Sequence, residues 1–313
     1  MNVSNRIVAA LALAGAVLGA TGCYENRNKS IQLMNEGVEL GKQKLYGTGV
    51  PKLKQATEVD PTNHLAWFNL GILYKDQRKW DDAASAFSQA CKLQDANATY
   101  HYELGASYQE AALEVKHMDP NKMAKMDPAE FDRLAKTVPT KLDQAKSELE
   151  LAVKLQRSYK THFRLGTVLE AQEKYRDADQ EYRKAIELNP RFPEPFIRLG
   201  NLYLDHDYDQ EAVKVFQEAA KVNDSNGEVH RGLSEALQKT KQYSEAIKEC
   251  EKALKHNGEL FICVYNIGMS YKMLDDKKNA REWLQRFITN AGTKGSPELM
   301  KAASDAMYGL DAP

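Results

Sequence analysis

WFNLGILY (67–74) returns 34 residues later as HYELGASY (101–108). It comes back as HFRLGTVL (162–169), FIRLGNLY (196–203) and VYNIGMSY (264–271). The shared small residue is Gly71, Gly105, Gly166, Gly200 and Gly268; Ser234 fills that slot in HRGLSEAL and Gly37 fills it in LMNEGVEL. The steps between these positions are 34, 34, 61, 34, 34 and 34. Apolar residues flank the small one in an i, i+3, i+4, i+7 stripe, the mark of one buried helix face. A second small residue follows twelve later, at Gly49, Ala83, Ala178, Ala212, Ala246 and Ala280. A third follows seven after that, at Ala56, Ala90, Ala185, Ala219 and Ala253. Each period therefore holds two helices that approach closely at their small residues. One such pair cannot bury its apolar face alone, so neighbours must stack.

This pattern resembles the tetratricopeptide repeat (TPR) over nearly all of residues 30–294. The resemblance implies an all-α fold, a TPR superhelical solenoid of antiparallel helix pairs. The repeats fall at about 30–63, 64–97, 98–158, 159–192, 193–226, 227–260 and 261–294. The first is degenerate, with Glu36 at an apolar position and Gly49-Val50-Pro51 where its second helix should start. In the last, Phe287 replaces the third small residue, and Gly292, Gly295, Ser296 and Pro297 then break the chain. Ser296 is a good N-cap with Pro297 at the first helical position. A C-terminal capping helix is expected over 296–310, with Leu299, Met300, Ala303 and Met307 turned inward.

The 61-residue step marks an insert of about 114–141 between the two helices of the repeat at 98–158. Its first helix should end near Leu113, and its second resumes in LDQAKSELELAV with Ala145 and Ala152 in the small-residue columns. Asp127-Pro128-Ala129-Glu130 reads as a capping box, so a short helix at about 128–137 is expected in a projecting spur. Met118, Met123, Met126 and Phe131 would be its apolar surface, either for a partner or for packing within the spur.

At the N-terminus, residues 1–22 read as a signal peptide. Arg6 is the only charge before Cys23, and Ile7 to Ala20 is apolar or Gly throughout. That run makes about 21 Å of helix, short of the roughly 20 residues a spanning helix needs. Ala20-Thr21-Gly22-Cys23 resembles the lipobox of bacterial lipoproteins, although Ala20 stands where Leu is usual. The resemblance implies a covalent lipid at Cys23, a short tether over 23–29 and stable anchoring by two or three acyl chains. In that family Asp directly after the Cys signals inner-membrane retention, so Tyr24 implies the outer membrane, facing the periplasm. An ordinary secretory signal and an inner-membrane anchor are the other readings.

The composition points away from several function classes. The net charge of −1 over 313 residues gives no basic footprint for nucleic acid. Cys23, Cys91, Cys250 and Cys263 are too few for a disulfide framework; Cys250 and Cys263 either pair in an oxidising compartment or serve as small buried apolar residues. His101, His162 and His230 share the fourth position of their repeats. One ion cannot reach two of them, because neighbouring helices lie about 8–10 Å apart. They are expected to pack where Trp67 and Phe196 sit in sister repeats. No HExxH, GxSxG or phosphate-binding Gly loop occurs. The expectation is a non-enzyme with no cofactor or metal beyond the lipid, and no small-molecule substrate.

What remains is a binding face. In this family, positions 5 and 9 of the first helix line the concave groove. Here they supply Phe68, Ile72, Tyr102, Phe163, Thr167, Ile197, Asn201, Arg231, Glu235, Tyr265 and Met269. Aromatic anchors among few charges suit protein binding. The carboxylate clamp of chaperone-binding members, built on Lys and Asn at set positions, has no counterpart here. The sequence thus reads as a protein-binding scaffold for an envelope machine. It resembles pilotins of type IV pilus secretins and the TPR lipoproteins of gliding-motility complexes. The other reading is an adaptor delivering a periplasmic hydrolase or protease to its substrate.

Overall fold

Six of the seven repeats carry one left-handed residue at the end of the first helix. In the computed structural model, positive φ angles near 60° occur at Lys44, Arg78, Glu173, Asp207, Lys241 and Asp275. All six are position 15 of their repeats. The following residue donates back across the turn, as Lys79 N does to Tyr74 O at 2.9 Å and Tyr208 N to Tyr203 O at 2.8 Å. This closes the helix end as a Schellman cap does, and within each unit it launches the second helix antiparallel to the first.

The structure describes residues 24–258, 260–291 and 296–311, and all regular structure among them is helical. The apolar leader, Cys23, Gly292 and Gly295 lie outside these residues. The chain divides into two compact units, Met1–Lys174 and Tyr175–Pro313. The first contains α1 (24–42), α2 (Tyr46–Val59), α3 (His64–Asp76), α4 (Trp80–Leu93), α5 (Ala98–Lys116), α6 (Pro120–Ala124), α7 (Pro128–Leu155) and α8 (Tyr159–Ala171). The second contains α9 (Tyr175–Leu188), α10 (Glu194–Asp205), α11 (Asp209–Val222), α12 (Gly227–Lys239), α13 (Tyr243–His256), α14 (Phe261–Met273), α15 (Lys277–Ala291) and α16 (Pro297–Asp311). Within each unit, helices consecutive in the repeat pattern pack as antiparallel pairs, which is the TPR solenoid arrangement. Asn63, Asn97 and Asn226 cap α3, α5 and α12 through their side-chain oxygens, each cap contributing roughly 1 kcal/mol.

The small-residue columns are the core. Ala83, Ala90, Ala145, Ala178, Ala185, Ala212, Ala219, Ala246, Ala253 and Ala280 are fully buried. A second column, at position 24, is less obvious from the sequence. Its side chain fills the space left by the glycine of the first helix. A Cβ on Gly71 would sit 2.6 Å from the Phe87 ring, one on Gly105 2.8 Å from Leu149, and one on Gly268 2.8 Å from Leu284. Phe216 is held from two sides: a Cβ on Gly200 would meet it at 2.4 Å, and one on Gly232, in the next repeat, at 2.3 Å. In the repeat at 227–260 the volumes are exchanged. Ser234 replaces the glycine, Cys250 replaces the bulky residue, and the Ser234 hydroxyl donates to Ala246 O at 2.8 Å.

In the degenerate repeat the second helix, α2, starts at Tyr46 and runs through Pro51. Gly37 and Gly49 let α1 and α2 approach so closely that a Cβ on either would meet the other's carbonyl oxygen at 3.1 Å. In the insert, the expected short helix does not stop near 137 but continues into the second repeat helix as α7, 28 residues in all. The reason is an unbroken 4-3 stripe of Phe131, Ala135, Val138, Leu142, Ala145, Leu149 and Ala152. Pro139 is exposed at the edge of that stripe, so its ring interrupts none of the apolar positions. α5 also runs to Lys116, and the short α6 that follows is capped by Asp119.

At the other end, α16 covers the last pair. Leu299, Met300 and Met307 pack with Ala303 and Ala306 against Val264, Leu284 and Phe287. The bulk of Phe287, where other repeats carry Ala, is what this cap rests on.

Candidate interaction surface

Positions 5 and 9 of the first helices project beside the buried stripe, so their side chains are shared between core and solvent. In the first unit Phe68, Ile72, Tyr102, Phe163 and Thr167 are half-buried. Phe68 is turned toward the core: its ring stacks on Tyr100 at 4.7 Å and meets Phe87 at 5.5 Å. Tyr102 lies under the Arg164 guanidinium, 5.9 Å from ring centroid to Cζ. Arg164 also donates to Glu110 at 2.8 Å and Gln109 at 3.1 Å, and Gln109 donates to Thr167 at 2.8 Å. Burial works against the Arg164 cation, but Tyr102 and Glu110 outweigh it and hold its pKa above the ordinary value. Lys75 reaches Glu103 on the next first helix at 2.8 Å. The face is thus apolar and aromatic, with its charges joined between successive repeats.

In the second unit Ile197, Asn201, Arg231, Glu235, Tyr265 and Met269 are again half-buried. Arg231 binds Glu228 at 2.7 Å and Glu235 at 2.9 Å. Tyr265 packs on Phe287 at 5.5 Å, and Met269 joins the apolar cluster under α16. Gln238 bridges to the next repeat through Asn266 O and Ser270 Oγ, both at 2.6 Å.

The insert turns most of its apolar residues toward the body of the first unit. Met118 and Met126 line a cleft of about 330 Å³ with Trp80 and Leu134. Phe131 lines one of about 530 Å³ with Val115, Val138, Pro139, Leu142 and Ala171. Met123 alone of the four is exposed.

The buried thiols are unlike activated nucleophiles, which have lowered pKa values. Burial and the Glu148 charge push Cys91 up to about 12. A hydrogen bond with the Cys250 thiol, together with burial, pushes Cys263 up as well. Both are free thiols in the structure.

The histidines of position 4 do more than fill space. His230 is fully buried; its Nδ1 meets Glu249 at 2.6 Å and its Nε2 meets Asp224 O at 2.8 Å. His101 repeats this with Glu148 at 2.6 Å and Asp95 O at 2.8 Å. The pattern was readable: Glu148, Glu181 and Glu249 hold position 23 in the repeats with His at position 4, whereas Trp67 and Phe196 are matched by Ala86 and Val215. The hydrogen bond to Glu249 raises the His230 pKa; burial raises that of Glu249, but His230 and Lys252 overcome it and hold it low. His230 therefore stabilises the fold fully below its unfolded value near 6.5 and loses this as pH rises through its higher folded pKa. Glu249 contributes above its unfolded value and loses this as pH falls through its lower folded one. Urea midpoints of the wild type should fall from pH 6 toward alkaline pH, and Glu249→Gln should flatten that fall. Parallel profiles for the two proteins would contradict the pairing.

Three comparisons bear on this architecture. Family models described as tetratricopeptide repeat match residues 52–84, 69–111, 159–192, 197–259 and 263–292. Among curated proteins, the chain is 23% identical over 237 residues to the human Protein O-mannosyl-transferase TMTC3, covering 75% of this chain and 24% of that protein. It is 24% identical over 236 residues to the Peroxisomal targeting signal receptor of Kluyveromyces lactis, covering 71% and 40% respectively. The chain thus spans well under half the length of these relatives. Among solved structures, Pseudomonas aeruginosa PilF superposes with a TM-score of 0.55 at 18% identity, over 77% of this chain and 97% of PilF.

Proposed function

This chain belongs to the tetratricopeptide repeat family, and we propose that it is an outer-membrane lipoprotein that binds other proteins to scaffold an envelope machine. TPR arrays mediate protein–protein interaction, and that coarse role comes with the family. The finer reading rests on residues of this chain. The observation that carries binding is the run of half-buried Phe68, Ile72, Tyr102, Phe163 and Thr167 on successive first helices. Its charges are already joined to one another through Lys75–Glu103 and Arg164–Glu110. Such a face offers aromatic area at low desolvation cost, as protein-binding patches do. The partner it suits is an apolar peptide or amphipathic helix, supplied by a component of a gliding-motility complex or a type IV pilus secretin.

The membrane placement rests on Ala20-Thr21-Gly22-Cys23, with Tyr24 next in the chain. Metabolic labelling with an alkyne fatty acid tests it. Wild-type protein should carry label and sediment with outer membranes. Cys23→Ala should lose the label and appear as an unprocessed or soluble form. Unlabelled wild-type protein that washes off membranes in buffer would rule the anchor out.

A further inference from the structure

We propose that Cys91, His101 and Glu148 form a binding site for one borderline-soft divalent cation, Zn²⁺ by its donor set, that ties the repeat at 64–97 to the repeat at 98–158. The three come from three helices, α4, α5 and α7. The Cys91 thiol, a His101 ring nitrogen and a Glu148 carboxylate oxygen all lie within 4.8 Å of one another. Sulfur, imidazole and carboxylate together are a zinc-type set, unlike the all-oxygen sets that Mg²⁺ and Ca²⁺ prefer.

The orientation of the imidazole suits a ligand. Its Nε2 lies 2.8 Å from Asp95 O, the outer partner that metal-bound histidines generally have. That bond fixes the ring with Nδ1 directed at Glu148, 2.6 Å away. A contact this short between nitrogen and carboxylate needs a proton between them, and the cation takes the place of that proton. With metal–ligand bonds of about 2 Å, the two atoms need to part by less than about 1 Å. Binding also displaces the thiol proton of Cys91, so it is accompanied by proton release to solvent. His101 and Cys91 are buried, whereas the Glu148 side chain is 28% exposed, which gives the ion its way in.

The protein carries its own comparison. His230 and Glu249 form the same clamp with Asp224 O, at the same distances. In sequence register, Ala220 stands where Cys91 stands for His101. A histidine clamp thus holds a repeat together without sulfur. The added thiol at one of the two is what distinguishes a ligand set from a structural pair.

The test uses the full-length chain, stripped with chelator under reducing conditions and titrated with Co²⁺ and then Zn²⁺. Wild-type protein should take up one Co²⁺ with a thiolate-to-cobalt charge-transfer band, which Zn²⁺ then bleaches. Calorimetry in buffers of different ionisation enthalpy should show proton release. Cys91→Ala should abolish the band and weaken Zn²⁺ binding roughly 100-fold or more. Its metal-free melting should stay near wild type, because Ala is what the sister clamp carries. Cys23→Ser and the pair Cys250→Ala, Cys263→Ala should keep the band. Unchanged Zn²⁺ affinity in Cys91→Ala overturns the proposal. Should that variant fail to fold, a wild-type titration without a thiolate band overturns it alone.

Discussion

Phe216→Ala is expected to destabilise the protein by about 3–5 kcal/mol, the largest single effect of any core truncation here. The ring is fully buried and is clasped by Gly200 of its own repeat and Gly232 of the next. Glycine backbones cannot move in to fill the void, because helix packing on either side holds them apart. Urea unfolding followed by circular dichroism measures the loss. Hydrogen exchange should locate it in α10, α11 and α12, since repeats couple mainly to their neighbours. Gly232→Ala should also destabilise, its new Cβ arriving 2.3 Å from the ring. In the double variant Gly232→Ala, Phe216→Ala that clash is gone, so the two costs should fall short of adding. Full additivity, or a loss below about 1 kcal/mol for Phe216→Ala, would mean that the ring is not the wedge described.

The second large effect concerns binding. The triple change Phe68→Ala, Tyr102→Ala, Phe163→Ala should abolish capture of the partner, because a buried aromatic anchor commonly costs 2 kcal/mol or more when truncated. Lipid labelling and membrane placement should persist. Phe68 also packs on Tyr100 and Phe87, so circular dichroism must show the variant folded. Tyr102→Ala with Phe163→Ala alone is the gentler version if it does not. Folded variants that hold the same partners with unchanged affinity would move the binding site to the insert, where Met123 is exposed.

The repeat register was legible because close helix packing demands small residues at fixed places, and Gly71, Ala83 and Ala90 recur every period. The cap α16 was legible from Phe287 and from Ser296-Pro297. The position 24 column was harder to read, because Leu53, Phe87, Leu149, Phe216, Cys250 and Leu284 vary in type from repeat to repeat. They share only the volume that the facing residue leaves. The continuity of α7 was hidden by Pro139, which local rules take as a stop but which an uninterrupted apolar stripe overrides. The clustering of Cys91 with His101 and Glu148 could not be read from spacing within one repeat, because Cys91 belongs to the repeat before.

The left-handed turns bear on the order in which the chain folds. Within each unit, the left-handed residue at position 15 reverses the chain locally, so its helix pair can form from contacts within one period. Gly71 and Phe87, for instance, are only 16 residues apart. Chains rich in such near contacts fold fast. The repeat at 98–158 has no left-handed residue of this kind, and 44 residues separate Gly105 from Leu149. The longer closure adds only about 0.6 kcal/mol per doubling, but it must be met before α5 and α7 gain anything from each other. The uninterrupted hairpins are therefore expected to form first, with the pairing of α5 and α7 following them.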